Sequence, residues 1–130
     1  MNSIKVLIAD DEEVVLEIMG RKIAANGYEV ISAKDGAQAW EMITKEIPDI
    51  IILDLNMPKM DGWAVLSQLR QNPPVKRWQP VIIVSSENEL GNFKKGVSLE
   101  ADHYLTKPCQ IEDILRAIRL MISLIPQHQA

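Results

Sequence analysis

At 130 residues, with 47% hydrophobic and 25% charged side chains and a net charge of −4, the chain has the make-up of an ordinary globular domain able to bury a core. The acidic balance argues against nucleic acid as a direct partner, because phosphate binding needs a basic surface. Cys109 is the only cysteine, which excludes an internal disulfide and fits a reducing compartment. No apolar run approaches the ~20 residues of a membrane span. The apolar stretch from Ile4 to Ala9 runs straight into four acids, unlike a signal peptide. A cytoplasmic protein without membrane contact is the expectation.

Ile4 to Ala9 reads as a first strand, followed at Asp10-Asp11-Glu12-Glu13 by a helix whose apolar residues Val14, Val15, Ile18, Met19 and Ile23 follow helical spacing. Asn26-Gly27 ends that helix. Tyr28 to Ala33 is a second strand, and Asp35 caps a second helix (Ala37, Ala39, Trp40, Ile43) that Pro48 closes. Ile50-Ile51-Ile52-Leu53 suits a strand buried on both faces. It stops at Asp54, and Pro58 and Gly62 break the chain before a third helix with Trp63, Val65, Leu66 and Leu69 as its stripe. Residues 72–80 form a loop rich in proline and base, in which Trp78 is expected to lie over the edge of the core. Val81-Ile82-Ile83-Val84 is a fourth buried strand, ending in Ser85-Ser86. Helical spacing follows at Leu90, Phe93, Val97 and Leu99, weakened by Gly91 and Gly96. A short strand, His103 to Thr106, ends at Lys107-Pro108, and a last helix runs from about Ile111 to Ile125, where Pro126 stops it. On that helix Ile111, Leu115, Ile118, Ile122 and Ile125 form the stripe expected to cover the sheet. Leu120 and Leu124 are then either packed against neighbouring elements or part of a surface for a partner.

Strand and helix alternate five times, which predicts an α/β fold: a doubly wound parallel sheet with helices on both faces, in a single domain over residues 1–130. In such a sheet every strand ends on one edge, where ligands bind. With strand order 2-1-3-4-5, Asp10, Asp11, Asp54, Ser85 and Lys107 converge there, and Asp11 and Asp54 lie side by side. Each of these residues alone is an unremarkable strand-end or surface residue. Together they make a charge problem, since adjacent carboxylates repel unless a cation sits among them. An all-oxygen set suits magnesium. An aspartate beside magnesium can act as a nucleophile toward phosphorus, with Lys107 neutralising the phosphoryl charge and Ser85 donating a hydrogen bond to it.

With these residues assembled, the chain resembles the receiver domains of two-component response regulators over essentially its whole length, in particular the chemotaxis-type single-domain receivers. Four segments carry the likeness: Ile8-Ala9-Asp10-Asp11-Glu12, Leu53-Asp54-Leu55-Asn56-Met57-Pro58-Lys59-Met60-Asp61-Gly62, the Ser85-Ser86 pair, and Tyr104-Leu105-Thr106-Lys107-Pro108. The resemblance implies a flavodoxin-like sheet of five strands with five helices. It implies Asp54 as phospho-acceptor, and magnesium, with manganese as a substitute, held by Asp10, Asp11, Asp54 and the backbone carbonyl of Asn56, Asp11 binding directly. Ser85 would be the switch hydroxyl, Tyr104 the aromatic that follows it, Lys107 the phosphoryl contact, and the Lys107–Pro108 bond cis. The donor would be a sensor histidine kinase or a histidine phosphotransfer protein. The chain would catalyse its own phosphorylation and dephosphorylation while acting mainly as a switch. The face formed by the 87–99 helix, the 103–106 strand and the last helix would control a downstream protein, with a second copy of the chain as a candidate partner. Ser85 stands where threonine is commoner, and Ser86, Glu100 and Cys109 also depart from the usual pattern; none removes a catalytic group.

Four other readings compete. A phosphohydrolase of the haloacid-dehalogenase type needs a second acid two residues after the nucleophile, where this chain has Asn56. A flavodoxin-like flavin binder wants a hydroxyl- and glycine-rich loop after the first strand, where this chain has acids. A degenerate receiver that acts without phosphorylation would not need the full acid set. A DNA-binding regulator, finally, would need an output domain in addition to these residues.

Overall fold

In the computed structural model, residues 3–86 and 101–126 are described. The order is β1 (Lys5–Ala9), α1 (Glu13–Ala24), β2 (Glu29–Ala33), α2 (Gly36–Glu46), β3 (Ile50–Leu53), α3 (Gly62–Gln71), β4 (Val81–Ser86), β5 (His103–Lys107) and α4 (Ile111–Leu124). The strands form one sheet in the order β2-β1-β3-β4-β5, with every neighbouring pair parallel. The sheet order and the α/β class match the sequence expectation. The expected helix over residues 87–99 lies outside the described residues, among which there are four helices rather than five. Among the described residues no helix is long and apolar enough to cross a membrane.

The central strands carry continuous aliphatic runs, Val6–Ala9, Ile50–Leu53 and Val81–Val84, because both of their faces are covered. Leu7 and Ala9 of β1, Ile51 and Leu53 of β3, and Val81 and Ile83 of β4 pack with α2 and α3 in one core cluster. The alternate residues Val6, Ile8, Ile50, Ile52, Ile82 and Val84 pack with α1 and α4 in the other. Period-two alternation thus divides one run of aliphatic residues between two half-cores.

Helices α2 and α3 start where their capping side chains place them. Asp35 Oδ1 accepts from the Gln38 N–H at 2.7 Å to open α2, and Asp61 Oδ1 accepts from the Ala64 N–H at 2.8 Å to open α3. Two buried stripes are rotated from their expected positions. In α1 the sheet takes Leu16, Met19 and Ile23, while Val14 and Ile18 are exposed at 70% and 53%. In α4 it takes Ile114, Ala117, Ile118 and Met121, leaving Ile111, Leu115, Ile122 and Ile125 half-buried at its flank. Leu120 and Leu124 are exposed. Both helices carry two adjacent apolar rows, and only the direction from which the sheet approaches selects between them.

At the edge opposite the strand ends, Asp102 is a hub. It accepts from Arg70 Nη2 and the Val81 N–H, each at 2.8 Å, and from the Trp78 indole at 3.1 Å. Trp78 accordingly lies against the core edge, as expected for it.

Candidate functional site

Ala9 faces Leu53 in the β1–β3 register, so the next residue of each strand, Asp10 and Asp54, emerge side by side. The ladder continues one step past the strands: the Asp54 N–H donates to the Ala9 carbonyl at 3.0 Å, and the Asp10 N–H to that of Ala33 at 3.1 Å. Both side chains are buried, at 3% and 5% exposure. Lys107 at the end of β5 reaches across β4 and bridges them, its Nζ 3.0 Å from Asp10 Oδ2 and 2.9 Å from Asp54 Oδ2. Ser85, buried near the end of β4, donates its hydroxyl to Asp54 Oδ1 at 3.3 Å. The same oxygen accepts the Asn56 N–H at 3.1 Å, and Asp10 Oδ1 accepts the Glu12 N–H at 3.0 Å. Strand β4 runs to Ser86, two residues beyond its apolar run, because Ser85 and Ser86 pair with Thr106 and Lys107.

The charges explain why this arrangement holds. Burial alone would depress the Lys107 ammonium, but its hydrogen bonds to Asp54 and Asp10 outweigh that and hold its pKa well above the ordinary lysine value. Asp10 moves the other way from most paired carboxylates. Burial pushes its pKa up, the Glu12 N–H and Lys107 offset this only in part, and the nearby Asp54 charge adds to the rise. One ammonium therefore serves two buried carboxylates, and the site retains an affinity for positive charge.

Asp10, Asp54, Ser85 and Lys107 form one hydrogen-bonded cluster. Asp11 is exposed, and it is Asp10 that shares Lys107 with Asp54. Carboxylate oxygens of Asp10, Asp11 and Glu12 lie within 4.8 Å of one another. That all-oxygen, acidic donor set fits a hard divalent cation such as magnesium. Glu12 was not singled out from the sequence, although it is the third acid of a run of four; its place depends on its N–H folding over Asp10. The Asn56 side chain is exposed. Tyr104, 38% exposed, faces Ile83, two positions before the residue that faces Ser85, so it does not join the carboxylate cluster. Burial, with the charge of Asp102, pushes its phenol up. The Lys107–Pro108 bond is cis, as the resemblance implies. Gly62 also belongs to the site's framework. Its N–H donates to the Leu55 carbonyl at 3.0 Å, and a Cβ there would collide with the Asp54 carbonyl.

The doubly wound sheet, with strand-end acids that share a lysine from the last strand, is the arrangement that the resemblance implies. The chain belongs to the response regulator receiver domain family, whose model matches residues 6–119, and so to two-component signalling. It is 34% identical over 120 residues to response regulator MprA of Mycobacterium ulcerans, an alignment that covers 92% of this chain and 50% of that protein. The chain thus spans about half the length of the curated relatives it matches. Among solved structures it resembles the REC domain of AraT, a response regulator from Geobacillus stearothermophilus, at 28% identity and a TM-score of 0.83, covering 99% of this chain and 100% of that one. It also resembles the chemotaxis response regulator CheY4 of Vibrio cholerae, at 28% identity and a TM-score of 0.82, covering 92% and 99%.

Proposed function

We propose that the chain, read as one receiver unit over residues 1–130, is a phospho-acceptor switch that takes a phosphoryl group from a phosphohistidine on a sensor histidine kinase or phosphotransfer protein. The observation that carries this is the buried Asp54 carboxylate, held between Lys107 on one oxygen and Ser85 and the Asn56 N–H on the other. In the transfer an Asp54 oxygen bonds to phosphorus as the P–N bond of the donor breaks. The electron pair returns to the imidazole nitrogen, which takes up a proton. Lys107 remains as the counter-charge to the acyl phosphate, and Ser85 can turn its hydroxyl from the carboxylate to a phosphoryl oxygen. Asp10 and Asp11, with Asp54 and the Asn56 carbonyl, would hold magnesium or manganese, which when bound offsets the negative charge that an anionic donor would meet. Asp11, exposed, would bind directly, and Asp10, committed to Lys107 and the Glu12 N–H, would act through water.

The signal would leave through the C-terminal side of the sheet. Tyr104 would follow Ser85, and the exposed Leu120 and Leu124 would help form the surface that a downstream protein or a second copy covers. We place the protein in the cytoplasm, whose reducing conditions suit its single cysteine, and its acidic balance argues against direct nucleic-acid contact from this chain. The test is incubation with a small phosphodonor and magnesium followed by intact mass measurement. One hydroxylamine-labile phosphoryl group is expected on the wild type and none on Asp54→Asn; equal labelling of the two would overturn the assignment. Asp11→Ala should lose labelling with its fold intact, and labelling of that variant at the wild-type rate in the presence of chelator would exclude the metal set.

A further inference from the structure

The segment that carries Asp54 and Asn56 leaves β3 at Asp54 and enters α3 at Gly62, and the start of α2 lies directly against it. The Gly36 N–H faces the Pro58 carbonyl at 3.4 Å, and Lys59 Nζ lies 3.6 Å from Asp35 Oδ2. Lys59 has a φ of 69°, and the Met60 N–H turns back to the Pro58 carbonyl at 2.7 Å, so the segment makes a tight bend where it meets α2. At that contact Gly36 has no room for any side chain. A Cβ built there falls inside the Met60 carbonyl group and against the Met60 Cβ, and the obstacle is backbone, which cannot rotate aside.

We infer that Gly36 is a positioning residue for the phospho-acceptor. The first turn of α2 is a wall, and its one bare backbone position sets how closely the 55–61 segment folds over the strand edge. The inference rests on the function proposed for Asp54. Its physical content is that the far end of the segment is already fixed, because Gly62 sits against the Asp54 carbonyl and bonds to Leu55. With both ends and the buried Met57 anchored, displacement at Met60 has to be taken up in the few residues between. These include Asn56, whose N–H holds Asp54 Oδ1 and whose carbonyl is a candidate metal donor. A shift of about 1 Å in a reacting group can cost up to about 100-fold in rate.

The experiment measures the magnesium dependence of phosphorylation by a small phosphodonor, separating apparent metal affinity from the rate at saturating metal. The proteins are wild type, Gly36→Ala, Asp35→Ala and Ile23→Val. Ile23 is buried in the opposite half-core, so Ile23→Val lowers stability without approaching the segment. Gly36→Ala is expected to weaken magnesium binding and to lower the saturated rate by tenfold or more, up to about 100-fold. Asp35→Ala, which removes the cap and the Lys59 contact but adds no atoms, is expected to lose less in the same direction, and it keeps the test decisive if Gly36→Ala does not fold. Ile23→Val is expected to match wild type on both measures. Wild-type behaviour of the folded α2 variants, or equal losses in Ile23→Val, would overturn the inference. A wild type that fails to label would instead overturn the function proposed for Asp54.

Discussion

At the scale of single residues, the charge arrangement makes opposite predictions for Lys107 and for its partner Asp10. Lys107→Met leaves Asp10 and Asp54 facing each other without a counter-charge. It should destabilise the fold by about 2–3 kcal/mol, less than the ~3–5 of a fully buried pair because the lysine side chain is 29% exposed. The raised lysine pKa means its contribution is complete below the ordinary value of 10.5 and is lost only as pH rises beyond that, so the deficit holds across neutral pH. It should shrink as pH falls into the carboxylate range, where protonation relieves the repulsion. Asp10→Asn should do the reverse. Because the Asp10 carboxyl is raised in the fold, its ionised form opposes folding at neutral pH, and the fold gains relative stability as pH falls through that raised pKa. Replacing it should raise the midpoint of thermal unfolding at pH 7, and the advantage over wild type should vanish as acid protonates Asp10. A lower midpoint for Asp10→Asn at pH 7 would show that the Lys107 contact outweighs the burial cost.

At the scale of elements, β4 and β5 are tied at their starts by the Asp102 carboxylate and at their ends by the Ser86–Lys107 pairing. Asp102→Ala orphans the Val81 N–H and the Trp78 indole and takes the carboxylate from a half-buried Arg70 that still donates to the Gln79 carbonyl. It should cost about 2–3 kcal/mol in urea denaturation and alter the Trp78 emission. A loss below about 0.5 kcal/mol would place it among ordinary surface substitutions. Nothing in the sequence around Asp102 marks this role, since its partners Arg70, Trp78 and Val81 lie 32, 24 and 21 positions before it and meet it only in the fold. The strands were legible because burial on both faces leaves no choice of residue, and the caps at Asp35 and Asp61 because a carboxylate before a helix has a local job. The rotations of α1 and α4 were not legible, since Val14 and Leu16, or Ile111 and Ile114, are equally apolar and differ only in where the sheet lies. Glu12 and Gly62 were hidden for the same reason: their partners, Asp10 and the Asp54 carbonyl, are reached through backbone folding that the side-chain pattern does not encode.

At the scale of the whole molecule, the described surface keeps few large apolar side chains. Val14 and Ile18 lie on α1, Tyr104 on β5, and Leu120 and Leu124 on α4. Leu120→Ser and Leu124→Ser should leave thermal stability within about 0.5 kcal/mol of wild type, as exposed positions do, while lowering association with a downstream partner in sedimentation. A loss of several kcal/mol would return these residues to the core. The lysine bridge has a further consequence for the life of the chain. Its ammonium lies 97 positions from Asp10 and 53 from Asp54, so both contacts close long loops. Contacts so distant in sequence are slow to form, because loop-closure entropy has to be overcome first. A chain with its first three strands paired but its fifth undocked would therefore hold Asp54 without the Lys107 ammonium. On the function proposed for Asp54, competence for phosphoryl transfer would arrive together with the last strand.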